Sequence, residues 1–432
     1  MERYSEYKDS GVKWLGEIPR HWEMKRWRFL MVENTKKNSD RRVRLQLQFR
    51  YGDIVRKANQ SEESDVLDTI SKYTVVEPND IMINGLNLNY DFVSQRVAQV
   101  NEEGAITSAY ISLRPTNIAC PKYYTYFLKS MDSKKMFHGM GTGIRLTLSY
   151  NELKNQFIPR PSIEEQEAIA NYLDAATSKI DEAIAQQQKM IDLLIERKQI
   201  IINNAVTKGL GPNVPMKDSG VEWIGKIPEH WEVRKLGTIG STINGVSHDS
   251  SYFGEGEPFV SYSDVYKNYS LPKFVSGLAK SSKQERRLFS VERGDVFFTR
   301  TSETAEEIGF TSTCLETIPN AVFAGFLIRF RPNANVLDPN FSKYYFRAHI
   351  HRSYFVKEMN LVIRASLSQQ LLKGLPILLP SLQEQYAIAS YLDSKINEID
   401  LCLDNKTKQI SLLQERKQII INDVVTGKVK VL

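Results

Sequence analysis

Apolar residues recur with a four–three spacing along two stretches of this chain. The first runs through Leu173, Ile180, Ile184, Ile191, Leu194 and Ile201. The second runs through Leu392, Ile396, Ile399, Leu403, Ile410, Leu413 and Ile420. A period of 3.5 residues is the signature of a coiled-coil seam. Each stretch opens with proline and an S-x-x-E capping pattern, Pro161-Ser162 to Glu165 and Pro380-Ser381 to Glu384. Neither then contains proline or glycine until Gly209 and Gly427. Each therefore predicts one unbroken helix of roughly 65–70 Å at 1.5 Å per residue. Gln187 and Lys406, and Lys198 and Lys417, interrupt the two seams at matching places. A stripe this long needs a partner, either the other helix of the same chain or a second chain.

The two helices belong to an internal repeat, which decides the architecture. KDSGVKWLGEIPRHWE at 8–23 returns as KDSGVEWIGKIPEHWE at 217–232, with twelve of sixteen positions identical at an offset of 209. PSIEEQEAIANYLDAATSKID at 161–181 returns as PSLQEQYAIASYLDSKINEID at 380–400, and ERKQIIIN at 196–203 returns at 415–422, both at an offset of 219. The offsets differ by ten, so the insertion lies in the middles, 24–157 and 233–376. These middles share few landmarks: Asp80-Ile with Asp295-Val, Leu113-Arg-Pro with Phe330-Arg-Pro, and Ile144-Arg145 with Ile363-Arg364. Because the second box follows the first helix, pseudo-symmetry places the end of the second helix near the chain's N-terminus. The pair is then antiparallel.

Strands are expected at Tyr110–Arg114 and Phe326–Phe330, with helices near Lys122–Ser130 and Asn340–Tyr354. Gly52-Asp, Asn79-Asp and Gly294-Asp mark turns. The middles read as α+β modules.

The 432 residues are 41% hydrophobic and 25% charged, in the range of soluble globular proteins. The longest apolar run, Ala321–Ile328, is far too short to span a bilayer, and MERYSEYKDS has no signal-peptide core. Cys120, Cys314 and Cys402 are isolated, so a reducing cytoplasm is expected, without disulfides or a zinc cluster. Net charge is +6, which permits a polyanionic partner without proving one. No catalytic constellation is recognisable. Gly220-Val-Glu-Trp-Ile-Gly225-Lys226-Ile227 ends in isoleucine where a phosphate loop needs Ser or Thr, and its copy has Glu17 for the lysine. There is no G-x-G-x-x-G, and no N-P-P-Y or D-P-P-Y. His349 and His351 have no further ligand nearby in sequence and read as a solvated helix or strand end. His21 and His230 read as packing or cap contacts, and the tryptophans beside them as anchors of a surface segment. No catalytic, cofactor or metal residue is assigned.

Basic and amide residues concentrate in the middles. Arg41, Arg42 and Arg44 are assigned to phosphate contacts. Asn84, Asn87 and Asn89 follow the Asp80 turn, and Arg300, Thr301 and Ser302 follow the Asp295 turn. Arginine reads guanine edges and Asn or Gln reads adenine edges, so these equivalent loops are candidate base readers. The second middle's basic cluster is Arg286, Arg287, Arg293, Arg300, Arg329 and Arg331. Arg145 and Arg364 precede the two helices and either reach DNA or bridge to acids of their own module.

The two boxes, the divergent middles and the long helices ending in E-R-K-Q-I-I-I-N, repeated once, resemble the specificity (S) subunits of type I restriction–modification systems over essentially the whole chain. The resemblance implies an α+β fold: two α/β target recognition domains separated by a long antiparallel two-helix coiled coil with a pseudo-twofold repeat. The expected division is a first recognition domain at 1–160, a helix at 161–209, a second recognition domain at 210–379 and a helix at 380–432. It implies that each recognition domain reads half of a bipartite, asymmetric site in double-stranded DNA. Two methylation subunits would dock on the helices, bringing S-adenosylmethionine and methylating adenine N6. Restriction subunits would bring ATP and magnesium. The chain itself would hold no cofactor and catalyse nothing. A coiled-coil scaffold that binds protein at both ends is the rival reading; it needs the heptads but not the Asn- and Arg-rich loops.

Overall fold

The computed structural model describes residues 2–58, 64–144, 146–302, 308–358 and 365–431. It contains two compact units, 1–188 with 407–432, and 189–406. Both long helices are present, Ile163–Lys208 and Leu382–Val425, and each contributes to both units.

Each unit is built on a four-stranded antiparallel sheet of the same strand order. In the first unit the order is Met31–Glu33, Ile111–Pro115, Ile81–Ile83, Val97–Gln99. In the second it is Gly240–Asn244, Leu327–Pro332, Val296–Thr299, Thr311–Thr313. The repeat thus continues through middles whose sequences show little identity. Asp80 and Asp295, two of the few shared landmarks, explain why. Asp80 accepts 2.9 Å bonds from Arg114 Nε and Nη2, and Asp295 accepts 2.6 Å bonds from Arg331 Nε and Nη2. A bidentate guanidinium–carboxylate pair fixes two neighbouring strands geometrically. The aligned landmarks are the two ends of one contact, a buried aspartate held by a partly exposed arginine, kept while apolar neighbours changed.

The remaining elements diverge. The first unit adds a hairpin, Leu47–Arg50 with Asp53–Arg56, turning at Tyr51-Gly52 with both φ positive. The second adds Phe253–Val260 between Gly277–Ala279 and Val322–Phe323. The expected helix at Lys122–Ser130 is Pro121–Ser133. The one expected at Asn340–Tyr354 is two, Pro339–Tyr345 and Ile350–Glu358.

The repeated boxes are clasps. Asp9 and Asp218 accept from the amides of Gly11 and Gly220, and Ser10 and Ser219 from those of Val12 and Val221. Gly11 and Gly220 sit at φ +71° and +72°, where any side chain is strained. Trp22 and Trp231 are fully buried and anchor the largely exposed boxes in the core. A Cβ on Gly427 would lie 3.0 Å from Trp22, and one on Gly209 would lie 3.3 Å from Trp231. These glycines follow the two long helices with φ of +75° and +72°, the left-handed conformation that ends a helix. The other side of each box grips a helix start. His21 Nε2 lies 3.0 Å from Glu165, and His230 Nε2 lies 2.8 Å from Glu384. In each unit, therefore, the start of one long helix and the end of the other meet at one box. Leu173 shares a core with Ile421 and Val424, and Leu392 shares one with Ile202 and Val206. The two helices are antiparallel within each unit, and Lys430 N donates to Glu2 O, bringing the second helix's end to the N-terminus.

The capping boxes differ. Ser381 and Glu384 satisfy each other's backbone amides. Glu165 N donates to Ser162 Oγ, but the Glu165 carboxylate turns to Tyr4 Oη at 2.6 Å and to His21. The buried Gln166 and Gln385 that follow accept from Cys120 N and Asp338 N, tying each helix start to the helix beside it.

Along the seam, Leu173, Ile180, Leu392, Ile396 and Ile399 are buried. Ile184, Ile191, Leu194, Ile201, Leu403, Ile410, Leu413 and Ile420 are half-buried, because two helices alone leave the flanks of a seam open. Among the described residues, no helix is long and apolar enough to cross a membrane.

Candidate nucleic-acid interface

In the first unit, residues 84–96 join the interior strand Ile81–Ile83 to the edge strand Val97–Gln99. A second segment runs alongside. Leu88 N donates to Leu146 O, Leu148 N to Gly85 O, and Asn89 Nδ2 to Ile144 O at 3.3 Å. The hairpin tip closes the third side, since a Cβ on Gly52 would lie 2.3 Å from Gln95 Oε1. These three loops display Asn87, Gln95 and Ser94 beside Tyr51, Tyr90, Val93 and Ile144. Val93 and Ile144 are 92% and 97% exposed, far more than a fold needs of apolar side chains. Amides beside apolar groups match base edges beside thymine methyls. Arg50 lies over the Tyr51 ring at 5.2 Å and adds a cation.

Asn84, Asn87 and Asn89 have separate positions. The half-buried Asn84 turns its side chain to Leu86 N, Asn87 is exposed at φ +52°, and Asn89 is half-buried against Ile144. Of the three, Asn87 alone presents its side chain to solvent. Arg145 lies outside the described residues; its neighbour Ile144 flanks the loop.

The second unit repeats the layout. Arg300 follows the strand Val296–Thr299; its amide donates to Phe326 O, and its carbonyl accepts from Leu367 N. Thr301 and Ser302 pair antiparallel with Ser366 and Ala365. Arg364 lies outside the described residues, directly before that strand. In both units the segment ahead of the helix thus runs beside the candidate reading loop.

The basic clusters divide. Arg41 pairs with Asp68, Arg42 with Glu103 at 3.1 Å and Arg56 with Glu102 at 2.6 Å, all on the surface. Such pairs hold by about 0–1 kcal/mol, so a phosphate can compete for these cations. Arg44 and Arg287 are exposed with no side-chain partner among the described residues. Arg286 reaches Ser281 O and Glu257. Arg329 and Arg331, part of the same sequence cluster, are structural: Arg329 donates to Ser290 O at 2.6 Å and Arg331 holds Asp295.

His351 is a correction. It is buried, not solvated, with Nε2 2.9 Å from Tyr345 O. Among the described residues no cluster of His, Cys, Asp or Glu is arranged to hold a metal.

Sequence reading missed the residues that shape the loops. Arg96 is 1% exposed and donates to the carbonyls of Asn84, Leu86 and Asp91. The Asp91 carboxyl, accepting from the amides of Ser94 and Val93, is held down at about 2. A single arginine before a strand carries no pattern that marks it as buried.

The family model for the type I restriction modification DNA specificity domain matches residues 57–191 and 228–412. The putative type I restriction enzyme MjaX specificity subunit of Methanocaldococcus jannaschii is 27% identical, with 98% of each chain aligned. The MjaVIII specificity subunit of the same organism is also 27% identical, over 84% of this chain and 81% of that one. A solved structure described as the structural basis of complex assembly and conformational transition of the type I R-M system shares the fold. Its TM-score is 0.72 at 15% identity, covering 95% of this chain and 99% of that one.

Proposed function

The chain belongs to the type I restriction–modification DNA specificity family, and we propose that its two units read the two halves of one bipartite, asymmetric site in double-stranded DNA. One observation carries this reading: two sheets of identical strand order present, from the same edge, loops of different polar composition. A common frame with different readers fits an asymmetric target. On this reading 1–160 and 210–379 are the recognition domains, and the helices at 161–209 and 380–432 set the gap between the half-sites. Asn87, Gln95 and Arg300 are the foremost base-reading candidates, while Arg41, Arg42, Arg44 and Arg287 serve phosphates.

Two methylation subunits would dock on the helices, where Leu193, Ile195, Leu412 and Ile419 are about half exposed beside the half-filled seam. S-adenosylmethionine belongs with those subunits and the product is N6-methyladenine; ATP and magnesium belong with restriction subunits. This chain supplies sequence selection and spacing, not catalysis. The relatives named as specificity subunits support the assignment.

The test is co-expression with the methylation subunit, followed by single-molecule mapping of N6-methyladenine across the host genome. One bipartite, asymmetric methylated motif is the expected result. A stable complex that methylates no such motif would return the chain to the scaffold reading.

A further inference from the structure

The two candidate reading loops leave the equivalent edge of each unit's own sheet, and a buried arginine grips residues 84–96 in the first and the return limb Ile308–Gly309 in the second. In the first unit Arg96 spans the loop. Its Nη1 donates to Asn84 O at 3.0 Å and Leu86 O at 2.8 Å, and its Nη2 donates to Asp91 O at 2.7 Å. Its amide donates to Asp132 Oδ2 at 2.7 Å, fixing it to the helix Pro121–Ser133. In the second unit Arg352, on the helix Ile350–Glu358, donates to Ile308 O and, at 2.9 Å, to Gly309 O. Those carbonyls lie on the limb that returns from the Arg300 loop to the strand Thr311–Thr313. The guanidinium carbon also lies over the Phe310 and Phe355 rings, 5.1 Å and 5.5 Å from their centroids.

Burying a guanidinium is costly, and a core held by hydrophobic packing has no need of one. What it supplies is a flat, permanently charged fork of five donors, which can fix several carbonyls at once in one plane. Carbonyls turned inward at a loop's base need donors, and the donor's geometry then sets the loop's shape. Base readout requires side chains held to within about 0.5 Å by rigid support. The two clamps come from different elements, one at the loop's own end and one on a helix. They are therefore separate solutions to one requirement, not a relic of the repeat.

We propose that Arg96 and Arg352 are positioning residues for sequence readout: Arg96 sets the path of residues 84–96 and Arg352 fixes the return limb at Ile308 and Gly309, each through backbone carbonyls, and each so fixes the selectivity of one half of the target without touching a base. The proposal rests on the two-reader function above.

The test uses the full chain with its methylation partner and maps N6-methyladenine for wild type, Arg96→Lys, Arg96→Gln, Arg352→Lys and Arg352→Gln. Lysine keeps the charge and loses the fork. The Arg96 variants should relax discrimination at positions in one half-site by about 5- to 150-fold, the span of one base contact, and leave the other half strict. The Arg352 variants should relax the opposite half. Leu128→Ala, a cavity in the first unit's core, is the control for plain destabilisation and should lower the methylation level with the motif unchanged. If the arginine variants behave like Leu128→Ala, or if both lysine variants lose all methylation at undiminished complex yield, the proposal is overturned. A wild-type chain that yields no bipartite motif would defeat the two-reader function itself, which is a different result.

Discussion

Lys417 Nζ lies 2.6 Å from Asp181 Oδ2, joining the second long helix to the first, and Lys198 makes the same 2.6 Å contact with Asp400. Both lysines occupy seam positions where the heptad calls for an apolar side chain. Each stretches out to an aspartate flanking the opposite seam, one residue after Ile180 or Ile399. A polar residue inside a seam specifies register at some expense of stability. The pairs are partly exposed, so solvent screens them and each is worth about 0.2–1 kcal/mol. A double-mutant cycle with Asp181→Ala and Lys417→Ala, read by urea denaturation, should return a coupling in that range. The charge-swapped double variant should recover most of the loss. Strictly additive single effects would mean that the pair does not hold the register.

Helix length makes a second, functional prediction. Deleting residues 184–190 and 403–409 together removes one heptad from each helix at equivalent positions. The shortening is about 10 Å, or ~3 base pairs of duplex. Methylome mapping should show the same two half-sites with a shorter gap between them. An unchanged gap would remove the helices from any role in spacing.

Asp80 gives a stability prediction. Its carboxylate is 2% exposed and accepts from Arg114, Asn34 Nδ2 and Glu77 N. Asp80→Ala leaves these donors without their acceptor. Breaking a buried pair costs about 3–5 kcal/mol. The 37% exposure of Arg114 lets water recover part of that, so about 2–3 kcal/mol is expected from denaturant melts of the chain. A loss below about 1 kcal/mol would show that packing alone holds these strands.

The same residue shows what the sequence disclosed and what it did not. Repetition exposed the boxes and helices because their jobs are local: a turn at Asp9-Ser10-Gly11, a cap at Ser381, a seam at Leu173 and Leu392. Asp80 and Arg114 were visible as landmarks, but their pairing was not, since a contact across strands leaves no periodicity. The shared four-stranded sheet was hidden as well, because its strands are short, lack alternation and differ in composition, from Ile81-Met82-Ile83 to Thr311-Ser312-Thr313. Composition picked out the segment of Asn84, Asn87 and Asn89, of which Asn87 is the exposed one. Arg96 and Arg352 escaped notice because arginine reads as a surface residue until its surroundings are known. Arg329 and Arg331 failed in the opposite direction, taken with a basic cluster when their donors face inward.

His351 supplies a pH prediction with a definite sign. The imidazole is buried beside Tyr345 and Phe346, and burial first, then the neighbouring Arg352, pushes its pKa down to about 3. In the unfolded chain the ring titrates at about 6.5. As pH falls below that value the unfolded state takes the proton and the folded state does not. The stabilisation is therefore complete above about pH 6.5 and is lost progressively towards pH 3, by at most about 1.4 kcal/mol per pH unit. His351→Phe keeps the aromatic packing, leaves Tyr345 O with Ala348 N alone as its donor and removes the titration. The variant should be less stable at pH 7.5 by about 1–2 kcal/mol. Its urea midpoint should then fall less steeply than the wild type's between pH 7 and pH 5. Parallel slopes for the two proteins would place the acid sensitivity elsewhere and show that His351 is protonated as readily folded as unfolded.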